Sequence, residues 1–283
     1  MTVREAPSPN HDERPPGTPI DTLVLHYTGM RSAEEAIARL RDPASRVSCH
    51  YVVEESGACW RLVPEGRRAW HAGVSCWRGH EALNGRSVGI EVVNPGHEWG
   101  YRPFPPAQMA AVCALALGVL ARHPIAPRDV LAHSDVAPER KQDPGELFDW
   151  EGLARRGVGL WPRGVADAGT TGALRDAAGL APVRAALGRV GYRVPPRDAA
   201  AGAPRGAPRD AAGHGPAGVS GDDSPAGESG HDPGDEAVGG RDSALAAVLR
   251  AFQRHWRPEG VTGEADAGTR ARLFALARLI DGT

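Results

Sequence analysis

Two histidines and one aspartate occupy positions suited to metal binding. His26 and His133 each end an apolar run, and Asp143 follows ten residues after His133. Two imidazoles and one carboxylate suit a catalytic Zn²⁺, since they leave a fourth position for water. We expect Pro144-Gly145 to form a tight turn that fixes Asp143. The alternative is that both histidines are structural or hydrogen-bonding residues at strand ends.

A carboxylate in an apolar strand is the candidate general base. Glu91 lies in the segment SVGIEVVN, where alternation places it on one face with Gly89 and Val93. Burying an acid there is unfavourable unless it has a partner. A nearby zinc-bound water would be such a partner, with Glu91 accepting its proton. The alternative is a glutamate on an edge strand that faces solvent.

The distribution of basic residues marks one further position. The chain has 33 Lys plus Arg, and Lys141 is the single lysine among them. Arginine replaces lysine easily at most solvated sites, but not where a compact point charge on a flexible stem is needed. Lys141 is therefore a candidate functional residue. Asp135, in the same region, we assign to a turn cap rather than to zinc.

Alternating strand and helix patterns predict the elements that position these residues. The fold class is α/β, with a mixed central sheet flanked by helices. A capping-box spacing at Ser32 predicts a helix to about Arg41. The other predicted elements are strands at 20–28, 87–94 and 129–135, a hairpin of 48–55 with 58–65, and a helix at 105–123.

The composition divides the chain into segments. We expect a flexible arm at 1–18, a catalytic domain at 19–162 and a C-terminal helical domain at 163–283. Apolar periodicity predicts three small helices in the last of these, at 182–195, 245–256 and 260–279. Gly- and Pro-rich residues at about 196–240 predict a disordered insertion, because they cannot bury enough apolar area to offset chain entropy.

Charge and hydropathy exclude several classes of protein. A net charge of -2 argues against a nucleic-acid binder that works by phosphate neutralisation. The longest apolar run, 109–121, is too short for a membrane span and predicts a buried helix. Four cysteines without C-x-x-C spacing predict buried free thiols. The first residues lack the apolar core of a signal peptide, so we expect a cytoplasmic protein, or a periplasmic or envelope one if an export segment is missing.

Several strings in order along 19–162 resemble a known enzyme family. They are LVLHYT, SCHYVVEESG, WHAG, LNGRSVGIE and AHSDVAPERKQDPG. Together they resemble the zinc-dependent N-acetylmuramoyl-L-alanine amidases of the AmpD/AmiD type, which have the amidase type-2 fold. That resemblance implies hydrolysis of the amide between N-acetylmuramic or anhydro-muramic acid and L-alanine, in cell-wall turnover or muropeptide recycling. The implied partner is peptidoglycan or a muropeptide.

The resemblance also implies roles for individual residues. It implies that His26, His133 and Asp143 bind Zn²⁺, that Glu91 is the catalytic acid/base, and that Lys141 stabilises the oxyanion. The remaining matched positions are candidate substrate-binding residues: His50, His71, Asn84 and Arg140. For the two histidines the alternative is a role around the metal ligands, and for Asn84 it is a turn cap.

The C-terminal helices resemble the small three-helix peptidoglycan-binding domain. Gly263, Asp266 and Thr269 fit its G-x-x-D-x-x-T turn, which caps the last helix. This chain departs from that family because a long insertion separates the first two helices. A non-catalytic peptidoglycan-recognition module on the same fold is the alternative function, and it predicts loss of a ligand or of the base. A phage-type lysin would have Cys where this chain has Asp143.

Overall fold

A six-stranded mixed sheet is the centre of the fold in the computed structural model, which describes residues 2–166, 168–196 and 243–282. The described strands are β1 (Val3–Glu5), β2 (His11–Glu13), β3 (Thr22–Tyr27), β4 (Tyr51–Val53), β5 (Cys59–Arg61), β6 (Arg67–Ala69), β7 (Cys76–Trp77), β8 (His80–Glu81), β9 (Ser87–Val92) and β10 (Val130–Ala132). The sheet has the order β1-β5-β4-β9-β3-β10, and the pairs β2-β6 and β7-β8 form separate two-stranded ribbons.

The central strands are parallel and buried. β3 pairs in parallel with β9 on one side and with β10 on the other. β3 consists of TLVLHY and is buried from Thr22 to His26, which is typical of a strand covered on both faces. The antiparallel pair β4-β5 confirms the predicted hairpin. The mixed sheet with flanking helices is therefore as predicted.

The prediction of a flexible arm at 1–18 is wrong. β1 adds in parallel to β5 at the sheet edge, and β2 pairs antiparallel with β6. Asn10 fixes the turn between them, because its side-chain amide donates to the backbone oxygens of Asp42 and Val47 at 2.8 Å each. The side chains of both strands are partly or fully exposed, so their sequence has no apolar alternation to reveal them.

Helices cover the sheet and place its loops. The described helices of this part are α1 (Ala33–Arg41), α2 (Gly96–Trp99), α3 (Pro106–Arg122), α4 (His133–Val136) and α5 (Trp150–Arg155). The Ser32 side chain accepts from the backbone N–H of Glu35, as its capping position predicts. α3 packs Val112, Ala116 and other apolar residues into the core formed with β9. The four cysteines are buried and free.

Three helices form the C-terminal part that the structure describes: α6 (Ala177–Val190), α7 (Ser243–Trp256) and α8 (Ala267–Asp281). α8 begins later than the predicted 260 because Asp266 caps it, accepting from Thr269 N at 2.8 Å. The three helices share one hydrophobic core with Trp77 and Val136 of the sheet-bearing part. The predicted insertion at about 196–240 lies outside the described residues from 197 onward.

None of the helices in the described ranges has the length and apolar character that a membrane span requires.

Candidate active site

Three neighbouring strands carry the principal candidate residues to one edge of the sheet. His26 on β3 is the register partner of Glu91 on β9, so both side chains leave the same face. His133 comes directly after β10, whose last residue is paired with Leu25. The carboxyl ends of parallel strands meet at one edge, where open α/β sheets bind their ligands. β3 therefore places His26 between Glu91 and His133.

The two histidines and Asp143 form a compact group of potential ligand atoms. His26 Nδ1 lies 3.0 Å from His133 Nδ1 and 3.2 Å from Asp143 Oδ2, and His133 Nδ1 lies 3.0 Å from the same oxygen. Ligand atoms around a tetrahedral Zn²⁺ are about 3.3 Å apart when the metal bonds are near 2.05 Å. All three residues are buried. Spacing, donor types and burial thus fit a zinc ion with one position left open.

Electrostatics keep His26 and Asp143 in the protonation states that bind a metal. Burial, reinforced by His133, lowers the pKa of His26 to about 4, so its imidazole is neutral at pH 7. Burial alone would raise the pKa of Asp143, but His133 and His26 outweigh it and hold that pKa far below the usual range. A neutral imidazole and an ionised carboxylate are the ligand forms of these residues.

Both histidine rings are oriented by a second hydrogen bond. His133 Nε2 lies 3.2 Å from Ala72 O, and His26 Nε2 lies 3.0 Å from His71 Nδ1. His71 Nε2 lies 3.1 Å from Ser87 Oγ, which donates to Leu83 O at 2.7 Å. If each step donates in this order, Nδ1 of His26 and of His133 is left free for a metal. Such outer hydrogen bonds fix the tautomer and ring orientation of metal ligands.

A glycine on β9 provides the space for His71. A Cβ added at Gly89 would lie 2.5 Å from His71 Cγ, so a side chain there would displace the ring. The His71 side chain is 8% exposed, and burial, with His26 and His50 nearby, lowers its pKa well below the usual value. His71 is therefore neutral at pH 7, as its acceptor role toward His26 requires.

The loop after α4 holds Asp143 and Lys141 together. Asp143 O accepts from Ser134 N at 3.0 Å, and Lys141 N donates to Ala137 O at 3.0 Å. Gly145 adopts a φ of +84°, and a Cβ there would lie 2.4 Å from the hydroxyl oxygen of Tyr101. The backbone of this loop therefore fixes the position of Lys141 relative to Asp143.

Glu91 has the environment of an acid/base residue. Its Oε2 atom is buried and has no hydrogen-bond partner among the described residues. Burial, reinforced by Asp143 and opposed by Lys141, raises the pKa of Glu91 well above its usual value. A carboxyl group with a raised pKa is the type of group that acts as a general acid/base. β9 is internal to the sheet, which excludes the alternative of a solvent-facing edge residue.

These residues open onto one cleft of about 1040 Å³. Glu91, His133, Lys141 and Asp143 all line it, together with His71. The cleft also contains residues for which the sequence predicted no role at the site, notably Tyr27, His97, Arg250 and Arg254. The last two belong to α7, and nothing in their spacing indicates that α7 folds back onto this edge of the sheet.

The structure corrects two of the four candidate substrate-binding residues. His50 is fully buried behind the cleft, where Nδ1 accepts from Gly89 N at 2.9 Å. Asn84 Oδ1 accepts from the backbone N–H groups of His71 and Ala72 at 3.0 and 2.8 Å. In the structure both residues hold backbone groups, with Asn84 bracing the segment at His71 and Ala72.

The other two candidates line the cleft. His71 is placed there behind His26, as described above. Arg140 Nη2 donates to the backbone oxygens of Ala72 and Val74 at 2.5 and 2.6 Å, so Arg140 also braces the segment 72–74. Asp135 caps α4 rather than joining the ligand group, since its Oδ2 accepts from Ala132 N at 2.8 Å.

Comparison with known proteins identifies relatives that match most of the chain or about half of it. A family model described as N-acetylmuramoyl-L-alanine amidase matches residues 16–146. The N-acetylmuramoyl-L-alanine amidase AmiD of Escherichia coli (strain K12) is 36% identical, and the match covers 91% of this chain and 82% of that protein. The 1,6-anhydro-N-acetylmuramyl-L-alanine amidase AmpD of Enterobacter cloacae is 33% identical over 53% of this chain and 87% of its own length.

Solved structures of similar proteins extend over both parts of the chain. The complex of E. coli AmiD with anhydro-N-acetylmuramic acid-L-Ala-D-gamma-Glu-L-Lys has a TM-score of 0.68 and 34% identity, and covers 93% of this chain and 91% of that one. AmpDh3 from Pseudomonas aeruginosa in complex with anhydromuramic pentapeptide has a TM-score of 0.69 and 28% identity, with 94% of each chain covered.

Proposed function

This chain belongs to the N-acetylmuramoyl-L-alanine amidase family, and from that premise we propose how its own residues hydrolyse the amide between muramic acid and L-alanine. The proposal is a zinc-dependent reaction at the cleft edge of the sheet. One observation carries it: the ligand atoms of His26, His133 and Asp143 lie within 3.2 Å of one another, on the strand edge that also carries Glu91.

His26, His133 and Asp143 would hold the metal through Nδ1, Nδ1 and Oδ2. When bound, Zn²⁺ would supply a lowered pKa for a water ligand and polarisation of the scissile carbonyl. His71 and Ala72 O keep the imidazoles in the orientation that presents Nδ1. Protein residues around this site carry out the remaining steps of the reaction.

Glu91 moves the proton. As the attacking water adds to the carbonyl carbon, Glu91 accepts a proton from it and later delivers that proton to the nitrogen of L-alanine. The C–N bond then breaks, and the carboxylic acid formed on the lactyl group gives its proton to the released amine, leaving a carboxylate on muramic acid and an ammonium group on the peptide. The raised pKa of Glu91 supports this role, because the group must hold the proton between the two transfers.

Lys141 stabilises the negative charge that develops on the carbonyl oxygen. Its position two residues before Asp143, on the cleft wall, supports this role. A preorganised cation of this kind typically contributes a few kcal/mol in the transition state. An ammonium on a flexible stem concentrates its charge on one atom, whereas a guanidinium spreads it over a planar fork.

The substrate class follows from the relatives. AmiD and AmpDh3 have been solved with anhydromuramic peptides bound, and we propose the same class here, in cell-wall turnover or muropeptide recycling.

We propose that 19–162 is the catalytic domain and that 163–283 is a peptidoglycan-binding-like domain. A cytoplasmic location stays a prediction, with the periplasm or envelope as the alternative, and fractionation of cells that carry the native gene distinguishes them.

Metal content and turnover test the proposal together. The wild-type chain should contain one zinc per molecule and release the stem peptide from anhydro-N-acetylmuramyl tripeptide. A chelator should remove both properties, and added Zn²⁺ should restore them. Asp143→Ala should lose both, whereas Asp281→Ala, at an exposed ion pair with Arg189, should keep them. A zinc-loaded wild-type chain that binds the substrate without cleaving it would instead support the non-catalytic recognition module.

A further inference from the structure

Helix α7 forms one wall of the cleft that contains Glu91 and Lys141. Ala247, Arg250 and Arg254 line that cleft. Their spacing of three and four residues places them on one face of the helix. The small Ala247 side chain leaves room beside the two arginines. The C-terminal part of the chain therefore contributes two cations to the cleft that His133 and Asp143 also line.

His255, the residue after Arg254, fixes the position of this helix wall. His255 is 1% exposed, and its Nδ1 lies 2.6 Å from Asp135 Oδ2. Its ring is stacked between those of Trp150 and Trp256, with centroids 3.7 and 3.6 Å away. A helix anchored at His255 holds the adjacent Arg254 at a defined distance from α4 and the loop that follows it.

The two arginines are only partly neutralised. Arg254 Nε lies 3.7 Å from Glu146 Oε2, and Glu146 also faces His97 at 3.2 Å. Burial lowers the pKa of Arg254, and Arg250 adds to this effect while Glu146 opposes it. In the part of the chain that the structure describes, no carboxylate lies within ion-pair distance of Arg250. Like charges one helical turn apart are unfavourable without a counter-ion.

We propose that Arg250 and Arg254 form a subsite for a carboxylate of the stem peptide, so that α7 determines substrate specificity in the active site. This proposal rests on the proposed function, because it concerns the peptide side of the same substrate. A γ-linked D-glutamate, as in the ligand of the AmiD complex, leaves its α-carboxylate free. Guanidinium groups bind carboxylates in a planar, often bidentate arrangement. We assign the free α-carboxylate to this subsite.

A pair of matched substrates tests this assignment. One is anhydro-N-acetylmuramyl-L-Ala-γ-D-Glu-L-Lys, and the other carries the α-carboxamide in place of the free α-carboxylate of glutamate. We expect the wild-type enzyme to favour the free acid in kcat/KM by roughly tenfold, since one charge-assisted contact is lost with the amide. Arg250→Gln should reduce this preference to about twofold or less, mainly by slowing hydrolysis of the free acid. Arg250→Lys should retain part of it.

Arg278→Gln is the matched control, because Arg278 is exposed on α8 and does not line the cleft. Zinc content and melting temperature of each variant show that the site is intact. An unchanged preference in Arg250→Gln, or no preference in the wild type, would overturn the subsite. Equal slowing of both substrates would also overturn it. If the proposed function itself were wrong, neither substrate would be hydrolysed by any of the proteins, which distinguishes the two failures.

Discussion

His255 Nδ1 lies 2.6 Å from Asp135 Oδ2, and this contact joins helix α7 to the segment that begins with His133. Asp135 Oδ2 also accepts from Ala132 N, and Tyr192 donates to Asp135 Oδ1 at 2.5 Å. The carboxylate is 1% exposed, so both of its oxygens depend on these donors. The C-terminal helices are thus bonded to the residue that caps α4, two positions after a proposed zinc ligand.

We expect His255→Ala to destabilise the protein by roughly 2–4 kcal/mol, because it leaves the buried Asp135 carboxylate without one of its donors. Tyr192→Phe should cost less, about 1–2 kcal/mol, since Tyr192 supplies a single bond to Oδ1. Urea unfolding of the metal-free proteins measures both changes. A loss below about 0.5 kcal/mol for His255→Ala would show that the contact does not support the fold.

His71 should control zinc affinity without touching the metal. Because it orients His26 through a 3.0 Å contact, we expect His71→Ala to weaken zinc binding about ten- to a hundredfold. Gly89→Ala should act in the same direction by displacing the His71 ring. Titration with a competing chelator measures the affinity, and His80→Ala, at an exposed position on β8, is the control. Wild-type zinc affinity in both His71→Ala and Gly89→Ala would show that His71 does not support the metal site.

Glu65 should make stability depend on pH in the acid range. Burial alone would raise its pKa, but hydrogen bonds from Arg122, Tyr51 and His123 outweigh it and lower the pKa to about 2. Because the folded pKa lies below the unfolded value near 4.5, the stabilisation is complete above about pH 4.5 and is lost as the pH falls toward 2.

We therefore expect the free energy of unfolding to fall less steeply between pH 4.5 and 2 in Glu65→Gln than in the wild type. Urea unfolding at several pH values measures the slope, with metal-free protein so that zinc release makes no contribution. Glu98→Gln, at an exposed position, is the control. Parallel curves for wild type and Glu65→Gln would contradict the role given to the Arg122 and His123 contacts.

Lys141→Arg should lower kcat by roughly ten- to a hundredfold while zinc stays bound, because the fork of arginine does not match a point-charge site on the loop. Steady-state kinetics with zinc-loaded protein measure this effect. Arg39→Lys, at another cleft residue, should leave kcat within about twofold. An unchanged kcat for Lys141→Arg would exclude Lys141 from the stabilisation of the oxyanion.

The central part of the site could be predicted because its residues follow strong local patterns. Apolar runs that end in histidine predict strands, and parallel strands deliver the residues at their carboxyl ends to one edge. Glu91 could likewise be predicted as a candidate, because it is a carboxylate within an apolar strand. The resemblance to the three-helix peptidoglycan-binding domain implied the turn from Gly263 to Thr269, and Asp266 caps α8 in the structure.

Contacts between distant segments could not be predicted in this way. Asp135 and His255 are 120 residues apart, and neither has a spacing that indicates the other. The link from His26 to Ser87 through His71 likewise depends on the space left by Gly89. β1 and β2 were missed because their stability comes from pairing with β5 and β6 rather than from an apolar pattern of their own.

Turnover by zinc-loaded Glu91→Gln is the most direct test of the proposed mechanism. Glutamine keeps the shape of Glu91 but cannot carry the proton from water to the leaving amine, so we expect kcat to fall by roughly a thousandfold with one zinc still bound per chain. Activity and metal content are measured on the same preparation. Near-wild-type turnover by the zinc-loaded variant would contradict the assignment of Glu91 as the acid/base, and with it the mechanism proposed for this site.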